Sequence, residues 1–426
     1  MRCPKAIVVV AALFISGCPT KKSPPSRTTS RGKADTAKAA DAASRSDRWR
    51  SDLRQLTRTL ETKHIKPFHR ISRAELRRRG AAIAKQMPKL SDTRIALRFS
   101  ALIASMGDAH TRIALPKQPL VPLALYAFDD GVHVVAIDHE HGAAIGGRVT
   151  MLGGVSIDEL MKGAAALVAA DNSAGRKLEA AHHLVLVDVL LALGGKLERG
   201  KVTLRVEGRD RKLADYHLAP VDDLRGVRWR RPTFGGKPPL RLQKPQLNYW
   251  NTYLAPSQTV YFKYNRCADN PGSPMRRFAP GMLAFIDQRR PKRVVVDLRG
   301  NRGGNSLVLR PLIDGLAARR KRLGFALAAI VDRAVFSSAL LNALELKERA
   351  GATIIGEPTS GKPNHFGEIK TFRLKYSKLG VQYSTKYFRK VKGDPDSLVP
   401  DIRIRVDAKD VLSGKDVALA AALLLK

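Results

Sequence analysis

Residues 325–362 constrain this chain more than any other stretch. They read FALAAIVDRAVFSSALLNALELKERAGATIIGEPTSGK. The apolar run Phe325–Val331 leads into a polar turn at Asp332–Arg333, the adjacent serines Ser337 and Ser338, and a helical pattern through Glu348. A second apolar run, Ala352–Ile355, breaks into a loop rich in Gly, Pro and Ser that ends at Lys362. Short apolar runs bounded by turn residues suit strands buried on both faces, with a crossover helix between them. The spacing therefore predicts an α/β unit with Ser337 between a buried strand and the mouth of a helix. A serine there can serve as an N-cap. It can also stand where the unpaired N–H groups of the helix would hold a developing oxyanion.

A second signal lies at Arg293–Asn305, RVVVDLRGNRGGN, where an apolar strand runs into a glycine-dense turn and a helix begins at about Ser306. Glycines allow close backbone approach and positive φ, and their N–H groups can form an anion-binding concavity. The turn is not a phosphate loop, because the GxxxxGK[ST] spacing is absent. A strand-to-helix turn with no ligand is the plainer alternative.

Around this core the chain divides into regions. Its 426 residues give room for two or three domains. Residues 1–18, MRCPKAIVVVAALFISGC, have a basic start and a short apolar core, the pattern of a secretory signal. Their end, Ile15-Ser16-Gly17-Cys18, resembles a bacterial lipobox, which implies cleavage before Cys18 and lipidation of its sulfur. Pro19 follows, so the periplasmic face of the outer membrane is favoured over the inner membrane. Residues 19–47, rich in Ser, Thr, Lys, Ala and Pro, are expected to be a disordered tether. From Trp49 apolar residues recur at intervals of three and four, which predicts a helical domain over 48–115. Residues 116–205 begin with two strands across Asp129-Asp130-Gly131 and resemble a divergent PDZ domain. A basic, proline-containing connector is expected over 206–255, and the catalytic domain over 256–426.

The formal net charge is +38, and residues 19–50, with nine Lys/Arg and three Asp, supply little of it. No nucleic-acid motif or aromatic stacking platform accompanies the charge. It fits anionic membranes or acidic polymers better. With Cys3 and Cys18 in the targeting segment, only Cys267 remains in the body, so no disulfide framework is expected. Cys267 itself suits a small buried residue. Neither His139 and His141, flanking a turn, nor His182 and His183, on a helix, have partners at metal-ligand spacing.

VVVDLRGNRGGN, FSSA and IIGEPTSGK, in that order, resemble the tail-specific (C-terminal-processing) serine peptidase family, and VPDIRI resembles its closing strand. The resemblance covers about residues 250–405 well. It implies a crotonase-like ββα catalytic domain preceded by the helical and PDZ-like domains. It also implies a polypeptide substrate, no metal and no cofactor. Ser337 would be the nucleophile, and the N–H of Ser338 with that of Gly303 or Gly304 would form the oxyanion hole. Two residues compete for the base. Lys362, 25 residues after Ser337, matches the processing peptidases. His110, in Asp108-Ala109-His110-Thr111, matches the D-x-H-T motif of the tricorn-core branch.

Acid–base chemistry favours His110. Imidazole titrates near pH 6.5 without help, whereas a lysine must first be desolvated. In the tricorn branch an acidic residue before the terminal P-D motif orients the relay, which points to Asp394 or Asp396. Asp108 reads as a turn or cap residue, and His365 as a residue near the site, with substrate contact as the less favoured alternative. The rival reading is a catalytically inactive peptide- or lipid-binding lipoprotein on the same fold.

Overall fold

The computed structural model describes the backbone of residues 31–426 and side chains from residue 44 onward. The signal segment with Cys18 and residues 19–30 of the expected tether lie outside the described residues.

Three helices open the described chain: α1 (Arg31–Lys63), α2 (Arg73–Gln86) and α3 (Asp92–Ala104). Helix α1 starts inside the stretch expected to be a tether, which corrects that boundary. Residues 31–47 are dense in Ala, Lys and Arg, which favour helix. They run into the amphipathic segment anchored by Trp49, which is 2% exposed and packs edge-on against Phe99. Ser72 and Ser91 cap α2 and α3, each accepting an N–H from three residues on. The short strand β1 (Arg112–Ile113) follows.

The middle region carries β2 (Leu123–Phe128), β3 (Gly131–Asp138), β4 (Arg148–Leu152) and β5 (Val155–Ser156), then helices α4 (Ile157–Ala165), α5 (Ser173–His183) and α6 (Val187–Ala192). Strands β6 (Val202–Glu207), β7 (Leu213–Leu218) and β8 (Trp229–Arg230) return to the same sheet. Its path is β2-β3-β4-β6-β7, with β5 on β4 and β8 on β3. The expected connector over 206–255 therefore contains strands β7, β8 and β9, with irregular chain between them. β7 pairs with β6 along its whole length, and β9 (Tyr249–Leu254) pairs antiparallel with β10 (Thr259–Tyr264). The alternation of the β6 residues, buried at Val202, Leu204 and Val206, is the pattern of a sheet with one covered face.

The C-terminal sheet has the order β16-β13-β12-β11-β10-β9. Strands β10, β11 (Arg293–Asp297), β12 (Ala326–Val331), β13 (Thr353–Gly356) and β16 (Ile402–Arg403) are parallel. Helices α7 (Met275–Arg289), α8 (Arg310–Leu323) and α9 (Ser338–Ala350) make the crossovers. Val294 and Val296 face these helices, and Val295 faces the terminal helix α11 (Val417–Leu423), which follows the short α10 (Ala408–Leu412). Both faces are covered, which is why the strands read as unbroken apolar runs.

The hairpin β14 (His365–Arg373) and β15 (Gly380–Phe388) leaves this sheet and pairs with β1 in a three-stranded sheet. Val381 and Tyr383 bury among Leu56, Phe99 and Ile103 of the helical region. The expected catalytic domain, 256–426, thus lends residues 365–388 to the N-terminal helices. That exchange places the turn after α3 beside the head of α9. Asn172, at the start of α5, adds a second tie, donating to Thr359 O and Ser397 Oγ at 3.0 Å each.

Candidate active site

Strand β12 ends at Val331 and α9 begins at Ser338, so the intervening turn must reverse within a few residues. Ser337 absorbs the reversal with φ 53° and ψ −127°, a conformation that side-chain-bearing residues rarely adopt. It occupies the N-cap position, but its side chain makes no capping hydrogen bond. Ser337 Oγ instead lies 3.0 Å from His110 Nε2.

The glycine turn packs directly against this serine. A Cβ on Gly303 (φ +106°) would sit 2.9 Å from Ser337 Cβ, and one on Gly304 (φ +137°) would sit 2.4 Å from Cys267 O. Only glycine fits at either place. The turn is held from below by buried charge. Lys263 Nζ donates to Arg299 O at 2.6 Å, and Arg299 bridges Asp297 and Asp416. Of the expected oxyanion donors, Gly303 N–H is committed to Asn301 Oδ1 at 2.9 Å. The amides of Ser338 and Gly304 have no acceptor among the described residues, and Ser338 Oγ donates to Gly304 O at 2.7 Å, tying the two segments together.

His110 is 8% exposed and lies between aromatic rings, 4.4 Å from Phe336 and 5.8 Å from His365 by centroid. Gln382 of β15 donates to its carbonyl at 2.8 Å. Burial pushes the imidazole down to about 3, aided by His365 and Arg112 and opposed by the Asp108 charge. His110 is therefore neutral at physiological pH. With Ser337 donating to Nε2, its proton resides on Nδ1, which faces Asp108 Oδ1 at 4.0 Å and has no hydrogen-bond partner among the described residues.

Asp108 is more than a turn residue. Its Oδ1 accepts the His110 amide at 2.8 Å, and its Oδ2 accepts from His64 at 2.9 Å, Thr111 at 2.5 Å and Ser384 at 2.7 Å. Burial alone would raise its pKa, but these donors and the nearby His110 hold it well below the usual carboxylate range. It is the one carboxylate within 4.0 Å of the His110 ring nitrogens among the described residues.

The other expected residues lie elsewhere. Lys362 Nζ faces Asp394 at 2.7 Å and Asp396 at 3.4 Å and makes no hydrogen bond to Ser337. Asp394 and Asp396 are corrected accordingly: on an exposed loop after β15, they pair with Lys362, and Asp396 also approaches Arg70. Cys267 is 1% exposed, and burial pushes its thiol up to about 12, so it is no nucleophile. His182 and His183 lie at the end of α5. No group of three or more His, Cys, Asp or Glu is arranged to hold a metal among the described residues. His64 was not singled out from the sequence. Its position at the end of an amphipathic helix gives no sign of a partner 44 residues away.

No family model and no curated protein matches this chain in sequence. In three dimensions it is similar to mature CPAF complexed with lactacystin, with a TM-score of 0.64, 12% identity, and coverage of 87% of this chain and 96% of that one. A second structure of mature CPAF gives a TM-score of 0.61 at 12% identity, covering 89% of this chain and 96% of that one. The photosystem II D1 C-terminal processing protease superposes at a TM-score of 0.40 and 13% identity, covering 87% of this chain and 98% of that one. This chain therefore has the mixed α/β fold of mature CPAF.

Proposed function

We propose that the chain is a serine peptidase of the tail-specific family, cutting polypeptides with Ser337 as nucleophile and His110 as general base. The observation that carries this reading is the 3.0 Å contact between Ser337 Oγ and His110 Nε2. A hydroxyl is a weak nucleophile until a neighbour accepts its proton, and a neutral buried imidazole on the hydroxyl meets that need. Ser337 Oγ attacks the scissile carbonyl carbon while its proton passes to His110 Nε2. The carbonyl oxygen becomes an oxyanion facing the free amides of Ser338 and Gly304. His110 then returns the proton to the leaving amine, and water cleaves the acyl-enzyme by the same route in reverse. Asp108, ionised and 4.0 Å from Nδ1, stabilises the imidazolium that forms in between.

The finer parts of the reading rest on sequence. The ββα arrangement of the C-terminal sheet is taken as crotonase-like and the middle sheet with α4 and α5 as PDZ-like. The signal segment ending in Cys18 assigns the protein to the cell envelope as a lipoprotein facing the periplasm. No helix among the described residues is long and apolar enough to cross a membrane, so the lipid on Cys18 would be the attachment. A Cys18→Ala variant that remains membrane-bound would refute that attachment.

The activity test uses a fluorophosphonate probe on the mature protein and on Ser337→Ala. Labelling of the first alone supports the peptidase. Absence of labelling in both supports the inactive binding protein instead.

A further inference from the structure

A cavity of about 190 Å³ lies one ring beyond His110, bounded by Lys66, Arg70, Asp171, Lys362, His365 and Tyr387 among others. His365 is the shared wall, stacked on His110 at 5.8 Å. The cavity is rich in cations. Lys66 Nζ rests over the Tyr387 ring at 4.8 Å and has no carboxylate partner among the described residues. Arg70 reaches a carboxylate only at 3.8 Å, on Asp396. Lys362, whose side chain is 11% exposed, is held in place.

Its partners are not held in the same way. The Asp394 and Asp396 side chains are 60% and 75% exposed even while they pair with Lys362. Exposed carboxylates of this kind can be exchanged at little cost. The inner wall adds a further feature. Asp171 is 2% exposed, its Oδ1 accepts the Ala109 amide at 2.8 Å, and the Lys362 backbone N–H lies close enough to favour its charged form. Burial pushes this carboxyl up to about 7, with the Asp108 charge adding to the effect. Near neutrality a substantial share of it is therefore uncharged and does not repel an anion in the cavity.

We propose that this cavity is a carboxylate subsite for the polypeptide substrate, with Asp394 at its wall and Asp396 beside it holding Lys362 and Arg70 as the chain's own stand-ins. A substrate carboxylate would displace them and sit between Lys362, Arg70 and Lys66. The inference rests on the peptidase reading for the word substrate, but the binding it describes does not require turnover. Either an acidic side chain or a free C-terminus would supply the chemistry, and the test separates the two.

Ser337→Ala protein is titrated with matched fluorescent peptides, one pair differing by an internal Glu or Gln, the other by a C-terminal carboxylate or amide. Wild-type protein blocked with the fluorophosphonate serves as a second, independently folded preparation. The member carrying the carboxylate is expected to bind about tenfold tighter in one of the two pairs, and that pair names the source. Arg70→Met and Lys66→Met, both at exposed positions, should erase the preference. The Asp394→Asn, Asp396→Asn double variant should tighten the carboxylate peptide several-fold and leave its uncharged twin unchanged. Equal affinity within both pairs, or no binding at millimolar peptide, overturns the subsite even where Ser337 is labelled by the probe. Discrimination by a protein whose Ser337 never labels keeps the subsite and removes the peptidase.

Discussion

His64 Nε2 faces Asp108 Oδ2 at 2.9 Å in a place where neither side chain has any exposure. His64 Nδ1 accepts the amide of Lys66 at 3.1 Å, so the ring's proton is on Nε2 and is donated to the carboxylate. The pair joins the end of α1 to the turn after α3, and Ser384 of β15 completes the set of donors. Three segments far apart in sequence thus agree on the position of one buried negative charge directly behind His110.

Removing that charge should therefore cost both stability and rate. Asp108→Ala leaves the His64, Thr111 and Ser384 donors and the His110 amide without an acceptor, and is expected to destabilise by about 3–5 kcal/mol. Asp108→Asn should be milder in urea unfolding but lower kcat by about a hundredfold, because the imidazolium loses its counter-charge. A wild-type kcat in folded Asp108→Asn would exclude any electrostatic part for this residue.

The two candidate bases are separable by substitution. His110→Ala is expected to lower kcat by at least about a thousandfold, as losses of a serine enzyme's base do. Lys362→Ala should retain fluorophosphonate labelling and act mainly on KM for charged peptides. The reverse pattern, with labelling lost in Lys362→Ala and kept in His110→Ala, would exchange their roles.

The glycine turn should tolerate no side chain. Gly303→Ala places a methyl 2.9 Å from Ser337 Cβ at a φ of +106°, and something must shift. We expect a folded protein by far-UV circular dichroism with kcat down about a hundredfold or more, since displaced oxyanion donors cost that much. Gly304→Ala, against the Cys267 carbonyl, should be worse in thermal stability as well.

The pH profile follows from burial. His110 binds its proton only near pH 3, well below the ordinary histidine value near 6.5. The free-enzyme acid limb of kcat/KM should accordingly lie below pH 6, and a limb at 6.5 would mean that water reaches the ring. The same shift has a consequence for stability. Between about 3 and 6.5 the unfolded chain binds more protons at this residue than the folded one, and His182, at about 4, adds to it. Their contribution is full above 6.5 and is lost as pH falls through that window. Asp171, raised from 3.8 to about 7, acts in the opposite direction: its contribution is full below about 4 and is lost as pH rises from there to about 7. Urea titrations of wild type and Asp171→Asn across pH 4–8 would separate the two limbs.

Much of the C-terminal sheet was legible in the sequence because both its faces are covered. The expected strand at Phe325–Val331 is β12, the apolar strand expected to open at Arg293 is β11, and the helix through Glu348 is α9. Burial on both sides leaves unbroken apolar runs, and no tertiary information is needed to see them. The β14–β15 hairpin was not legible as part of another sheet. Val381 and Tyr383 are buried on one face, and nothing local says that their partners are helices more than 270 residues earlier. Asp394 and Asp396 were misplaced for a related reason. Their place before the terminal P-D motif matched the relay residue that the tricorn branch implies, but solvent exposure and Lys362 decide where their charges go.

By itself the sequence determined what is periodic or sterically unique: buried strands, a crossover helix with a serine at its head, and glycines where nothing larger fits. Which proton acceptor meets that serine was left to the tertiary structure, because His110 and Ser337 are 227 residues apart and no repeat or spacing spans that distance. The exchange of a hairpin between the C-terminal region and the helices brings them together. The burial that follows sets the imidazole neutral and the Asp108 carboxylate charged, which are properties of an enclosed environment and of no residue alone.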